Sequence, residues 1–288
     1  MNTLQYVFFG SDEFSIEVLK TIIESGQKPL AIITVPPKPV GRKKIITPPP
    51  ITFFAEENGI NVIYAENLSD DSFINTYNNL GAEIAVVASF GKIIPETVLN
   101  IPKYKTFNVH PSLLPKWRGA TPIEHTILND DIAGVTIIRL DNKMDHGEIA
   151  LQEEFSLDNP DNEPMLYNEL RDKLSNIGGK LILSLFSNIK NESIKLTPQR
   201  HSDATYTKKL SKQDGEIILT HGPKENLRKI RAFSNWPGTY FTITKNGKKL
   251  RVIIKKAHIE DGLLKIDTVI PEGKSEMDFA SFERGYLN

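Results

Sequence analysis

The sequence predicts an α/β protein in which a parallel-sheet domain is followed by a small antiparallel barrel or sheet. Three observations carry this. The chain opens with an apolar run, Gln5–Phe9, an amphipathic stretch, Glu13–Ser25, and a second apolar run, Leu30–Val35, a β-α-β order that implies parallel strands joined by right-handed crossovers. Beyond residue 206 short strand-like runs are joined by Asn246-Gly247 and Asp261-Gly262, the pairs that suit tight hairpin turns. With 288 residues, the chain is also long enough for two domains.

Taken in order, the first strand closes at Gly10-Ser11-Asp12, and the helix that follows carries Phe14, Ile16, Val18, Leu19, Ile22 and Ile23 on one face, with Gly26 as its stop. The first turn lacks the Gly-x-Gly-x-x-Gly spacing, which argues against a dinucleotide enzyme. Residues 36–50 hold six prolines and four basic residues, a composition that excludes a helix or a central strand and predicts an exposed basic loop presenting Arg42, Lys43 and Lys44. A loop of that length in a compact domain points to function, here a grip on phosphates. Next come a helix over 51–58, a strand over 61–64, a helix over 72–80 and the strand Ile84–Ala88. The strand ends in Ser89-Phe90-Gly91-Lys92-Ile93-Ile94-Pro95, whose Phe90, Gly91 and Ile93 are candidates for the wall of a ligand site. Strands over 106–109, 135–140 and 149–155 follow, with a helix from Pro122 to about Asn129, where proline suits the first turn. A long amphipathic helix over 164–187 closes a first domain of residues 1–188, and the polar stretch 189–205 reads as a linker. In the last domain, 206–288, strands are expected over 215–219, 238–244, 250–258 and 263–269, with a helix over 224–233.

Composition narrows the chemistry. There is no cysteine, which excludes disulfides, thiolate nucleophiles and cysteine-held metals and fits a reducing compartment. No signal peptide or membrane span is expected, so a cytoplasmic location follows, in a bacterial cytosol or an organelle matrix. The net charge of −1 is unevenly shared: residues 206–288 carry +6 and residues 1–205 carry −7. A basic C-terminal part points to a polyanionic partner.

The chemistry centres on Phe107–Gly119. Asn108 and His110 are two apart on a strand, so both face the same side just where the strand gives way to a proline-bounded loop. Asp145 follows on a glycine-containing loop after another strand. An amide donor, an imidazole and a carboxylate suit acyl-group transfer, one holding a developing oxyanion and the others moving protons. Ser112 has no Gly-x-Ser-x-Gly elbow around it and is not a credible nucleophile.

These residues carry a resemblance. The run Asn108–Ile123, Gly134-Val135-Thr136 and Met144-Asp145-His146-Gly147 resemble the signature of the folate-dependent formyltransferases. The basic loop, Thr205–Lys212, Arg231–Gly238 and Pro271–Met277 resemble in particular the branch of that family that acts on methionyl-tRNA. The resemblance implies a doubly wound, Rossmann-like first domain binding 10-formyltetrahydrofolate as co-substrate, without metal, and an OB-like C-terminal barrel. It implies catalytic roles for Asn108, His110 and Asp145 and folate contacts at Ser112, Leu113, Leu114 and Pro115. It also implies tRNA contacts at Arg42, Lys43 and Lys44, a monomer, and formyl transfer to the α-amine of methionyl-initiator tRNA. Rival readings are a formyltransferase for an amino-sugar nucleotide and a 10-formyltetrahydrofolate hydrolase. The sequence departs from the family pattern at Gly10-Ser11-Asp12, at Ser89-Phe90 and at His146.

Overall fold

A computed structural model describes residues 4–41, 43–158 and 163–287, which gather into two compact units. The first comprises residues up to Gly119 with Gly134–Glu154 and Arg171–Tyr206; the second comprises Ala120–Ala133, Phe155–Leu170 and Thr207 onward. The second unit thus draws on two stretches from within residues 1–188.

The chain begins with β1 (Tyr6–Gly10), α1 (Glu13–Glu24) and β2 (Ile32–Thr34). The proline-rich stretch then forms a small exposed hairpin, β3 (Lys38–Val40) antiparallel to β4 (Ile45–Thr47). It is followed by α2 (Pro50–Glu57), β5 (Val62–Tyr64), α3 (Asp71–Asn79), β6 (Ile84–Ala88), the short α4 (Glu96–Leu99) and β7 (Thr106–His110). After α5 (Pro122–Asn129) come β8 (Ile132–Arg139), β9 (Ile149–Ser156) and the long α6 (Tyr167–Lys190). The main sheet has the order β5-β2-β1-β6-β7-β8-β9. From β5 to β7 it is parallel, as expected, but β8 runs antiparallel to β7, with Thr136 opposite His110. A strand's own apolar pattern does not encode the direction of its neighbour, so this reversal was not readable from periodicity.

Alternation along β1 sends side chains to both faces of the sheet. Val7 and Phe9 join Phe73, Tyr77, Val87, Phe90 and Leu99 in one core layer, whereas Tyr6 tilts against Phe186 of α6 at 5.1 Å between ring centres. Gly178 in α6 lets the helix lie close on β7: a Cβ there would stand 2.5 Å from Val109 Cγ1. Val109 lies between Asn108 and His110, so α6 seats the strand that carries both. Residues 189–205 are not a free connector. Ile189 is buried, Thr197 pairs with Ile149, and a 3₁₀ turn forms at His201–Asp203.

In the second unit α7 (Pro223–Ala232), β10 (Thr239–Lys245), β11 (Lys248–Glu260), β12 (Leu263–Pro271), β13 (Met277–Asp278) and α8 (Phe279–Tyr286) complete the chain. The small antiparallel sheet has the order β10-β11-β12-β13, and Phe241, Val252, Ile254, Val269 and Phe282 form its core with Ile230 of α7. The strand expected over 215–219 is not formed. Ser211 and Asp214 cap a 3₁₀ turn, Lys212–Gly215, and only Glu216 bridges to Tyr240. Local side-chain to backbone bonding at Ser and Asp competes with strand formation there. Among the described residues, no helix is long and apolar enough to cross a membrane.

Candidate active site

The site is built where β7 ends in the first unit. Asn108 and His110 face the same side of the sheet, Asn108 half-buried and His110 only 4% exposed. His110 Nε2 lies 3.2 Å from the carbonyl oxygen of Trp117. A carbonyl can only accept, so Nε2 carries a proton and the ring's other nitrogen is aimed elsewhere. That nitrogen, Nδ1, stands 3.6 Å from Asp145 Oδ1, beyond hydrogen-bond length but within reach of a charge interaction. Asp145 Oδ2 accepts a 2.8 Å bond from the backbone N–H of Gly119. The carboxylate is therefore held from the Trp117–Gly119 loop, which also orients the imidazole.

Backbone conformation supports this arrangement. Asp145 has φ +50° and Trp117 φ +60°, both in the left-handed region that non-glycine residues rarely enter. Gly147 must be glycine, because a Cβ would run into the carbonyl of Arg139. Residues held in such conformations persist where surrounding bonds over-determine them. Here those bonds come from Gln199, within the stretch 189–205 that reads as a linker from composition. Its Nε2 donates to the carbonyls of Asp145 (2.9 Å) and Gly147 (2.7 Å), and its Oε1 accepts from Arg118 Nη2 at 2.7 Å.

The Ser112–Pro115 segment is fixed in the same way. Thr136 Oγ1 donates to the Ser112 carbonyl at 2.6 Å and accepts from Leu114 N–H at 3.0 Å, while Gln152 Nε2 donates to the Leu114 carbonyl. Ser112 and Leu114 are buried, and the Ser112 hydroxyl donates to the Lys116 carbonyl. Their side chains are therefore committed to the protein, and only Leu113 and Pro115 present partly exposed side chains. Phe90, expected to line the ligand wall, packs edge-on against Phe9 in the core at 5.2 Å. The neighbouring Gly91 has open space at its Cβ position and Ile93 is 92% exposed, so this part of the expected wall faces solvent.

Two of the departures have structural explanations. Asp12 caps α1 by accepting from Ser15 N–H and also accepts from the Ser89 hydroxyl, while Ser11 Oγ donates to the Phe90 carbonyl at 3.0 Å. The Gly10-Ser11-Asp12 turn thus braces the 89–91 loop. Burial raises the Asp12 carboxyl above the usual range, against the hydrogen bonds from Ser89 and Ser15. His146 Nδ1 donates to Asp141 Oδ2 at 2.7 Å, and its ring stacks on His201 at 4.0 Å. Partial burial pushes Asp141 up, but the hydrogen bonds from His146 and the Lys143 backbone outweigh it and hold the carboxyl low. His201 Nδ1 in turn accepts from Arg118 Nη2 at 2.9 Å. Desolvation, with the positive charge of His146 and Arg118, holds His201 below its ordinary range.

The predicted phosphate contacts lie apart from this trio in the sequence. Lys43 and Lys44 are exposed in the turn between β3 and β4; Arg42 lies outside the described residues.

Both parts of the chain match known families. Residues 4–178 match the formyl transferase family, and residues 209–262 match the formyl transferase C-terminal domain. The methionyl-tRNA formyltransferase of Thermodesulfovibrio yellowstonii is 34% identical over 297 residues, covering 97% of this chain and 95% of that protein. The solved methionyl-tRNA formyltransferase from Clostridium thermocellum superposes with a TM-score of 0.63 at 15% identity, covering 93% of this chain and 98% of that one. An N-formyltransferase from Helicobacter canadensis in complex with folinic acid and dTDP-3-aminofucose reaches 0.61 at 20% identity, covering 91% of this chain and 95% of that one. At those identities the two structures speak to the fold alone. The family matches and the near full-length identity go further: the chain belongs to the formyl transferase family, in its methionyl-tRNA formyltransferase branch.

Proposed function

We propose that this chain transfers a formyl group from 10-formyltetrahydrofolate to the α-amino group of methionyl-initiator tRNA. The observation that carries the proposal is the set Asn108, His110 and Asp145 at the end of β7, in a chain that matches methionyl-tRNA formyltransferases over nearly its whole length. The folate supplies an activated formyl group: the amine nitrogen bonds to the formyl carbon, the bond from that carbon to folate N10 breaks, and N10 takes a proton. The donor set suits such a carbonyl. Asn108 contributes an amide N–H to the oxygen that gains negative charge, an interaction typically worth about 10²–10³ in rate. His110, whose Nε2–H is engaged by the Trp117 carbonyl, keeps Nδ1 beside Asp145, and this pair takes up the proton that the amine loses as it attacks.

The acceptor is read from charge. Residues 206–288 carry +6, and Lys248, Lys249, Lys255, Lys256 and Lys265 are exposed on β11 and β12. These lysines offer the second unit contacts to a polyanionic substrate, and Lys43 and Lys44 offer the first unit others. Arg42, next to Lys43 in the sequence, extends that set.

The test is formyl transfer from 10-formyltetrahydrofolate to charged initiator methionyl-tRNA, with free methionine, an amino-sugar nucleotide and a no-acceptor control alongside. Product on the tRNA alone is the expected result. Product on the sugar nucleotide alone, or formate release without acceptor, would replace this reading with one of its two rivals.

A further inference from the structure

The structure assigns Gln199 the part of a positioning residue that holds the Asp145 loop in its reactive conformation; this rests on the formyl-transfer reading above. Gln199 is 5% exposed and lies far along the chain from Asp145, in the stretch that composition marked as a linker. Both donor hydrogens of its amide and its oxygen serve the site. Its NH₂ group bridges the carbonyls on either side of His146, those of Asp145 and Gly147, and its oxygen accepts from the buried Arg118. Arg118 is 2% exposed and sits between Trp117, whose carbonyl faces His110, and Gly119, whose N–H holds Asp145 Oδ2. One side chain therefore ties together the two loops that orient the imidazole and the carboxylate.

Energetics favour this role over mere space filling. Asp145 sits at φ +50°, a conformation with no glycine to make it easy, and turning the loop back would cost two hydrogen bonds, that to the Gly147 carbonyl buried and that to the Asp145 carbonyl partly so. The rest of the segment fastens the 115–119 loop, which faces Asp145 and His110. Trp117 N–H donates to Thr205 Oγ1 at 2.9 Å, Arg118 N–H to the Thr205 carbonyl at 2.9 Å, and Thr205 N–H to the Pro115 carbonyl at 3.3 Å. Residues 199–205 thus form a strap across 115–119, and Gln199 also bonds the Asp145 carbonyl.

Two variants separate positioning from general stability. Gln199→Glu keeps an acceptor for Arg118 but loses the amide donor to the two carbonyls; Gln199→Ala loses both. Both are made in the full chain, alone and combined with Asp145→Asn, and assayed for kcat, for KM toward each substrate and for thermal midpoint. The expected result is a fall in kcat of about 10²-fold for Gln199→Glu with KM values near wild type, because displacing a reacting group by about 1 Å costs that much. In the Asp145→Asn background the same change should produce almost no further loss, since the carboxylate it places is gone. Gln199→Glu with wild-type kcat, or a loss that multiplies in full with that of Asp145→Asn, overturns the assignment. If Gln199→Ala does not fold, Gln199→Glu carries the test by itself. Should the wild-type chain transfer no formyl group to any acceptor, the functional reading fails. The placement of the loop by Gln199 would then be judged from the Gly119 amide resonance, which must move in Gln199→Glu.

Discussion

Two buried arginines, one in each unit, show how the same side chain serves different ends. Arg118 joins Gln199 and His201 within the site, where the partners are side chains from a chain-distant strap. Arg228 in α7 instead donates to the carbonyls of Ile127 and Asp130 at the end of α5 and to the Asp131 carboxylate. A guanidinium at the C-terminus of a helix satisfies carbonyls that have no intrahelical partner and complements the helix dipole. The first arginine ties together the loops of the proposed site; the second fixes the packing of two helices. Substitutions around Arg118 should therefore be read in rate, and those around Arg228 in stability.

The sharpest way to break that contrast is at the reacting groups. His110→Ala should lower kcat by about 10²–10⁴-fold with a small change in thermal midpoint, measured by formyl transfer and by melting. A near-normal rate would remove His110 from the chemistry. Next in size, Arg228→Met should destabilise the protein by about 2–3 kcal/mol in chemical denaturation, because carbonyls buried at the end of α5 lose their donors. Its kcat at low temperature should stay near wild type; a large loss there would erase the distinction between the two arginines.

Smaller effects sharpen the picture at the surface. Lys43→Ala with Lys44→Ala should lower the slope of log affinity for tRNA against log salt by about 2, one for each phosphate contact, and leave folate affinity unchanged. A pH-dependent effect concerns Glu124 in α5, whose carboxyl burial pushes up from 4.5 to about 7. Since the folded state binds this proton more tightly than the unfolded chain, the contribution is full below pH 4.5 and is lost as pH rises through 7. Glu124→Gln should flatten the stability profile in that window; an unchanged slope would assign it to other groups.

Much of this architecture was legible in the chain. The opening β-α-β order, the proline-initiated helix from Pro122 and the hairpin turns at Asn246-Gly247 and Asp261-Gly262 follow from local rules, and the structure forms each of them. The pairing of Asn108 with His110 on one face is likewise a consequence of strand period. Two local readings meet competition from the fold. Phe90, expected in a ligand wall, turns its ring into the core, and residues 215–219, expected as a strand, follow the capped turn Lys212–Gly215 without forming one.

Sequence by itself determined which residue types stand at the end of β7, where the elements begin, and the basic character of the last third. Only the tertiary structure decided that β8 runs against β7, that Asp145 is drawn to the Gly119 amide, and that Gln199 closes the site from residues that read as a connector. The reason is range: helix and strand signals arise from neighbours a few residues apart. A buried amide's value, by contrast, depends on partners more than 50 residues away, which only the folded chain brings within 3 Å.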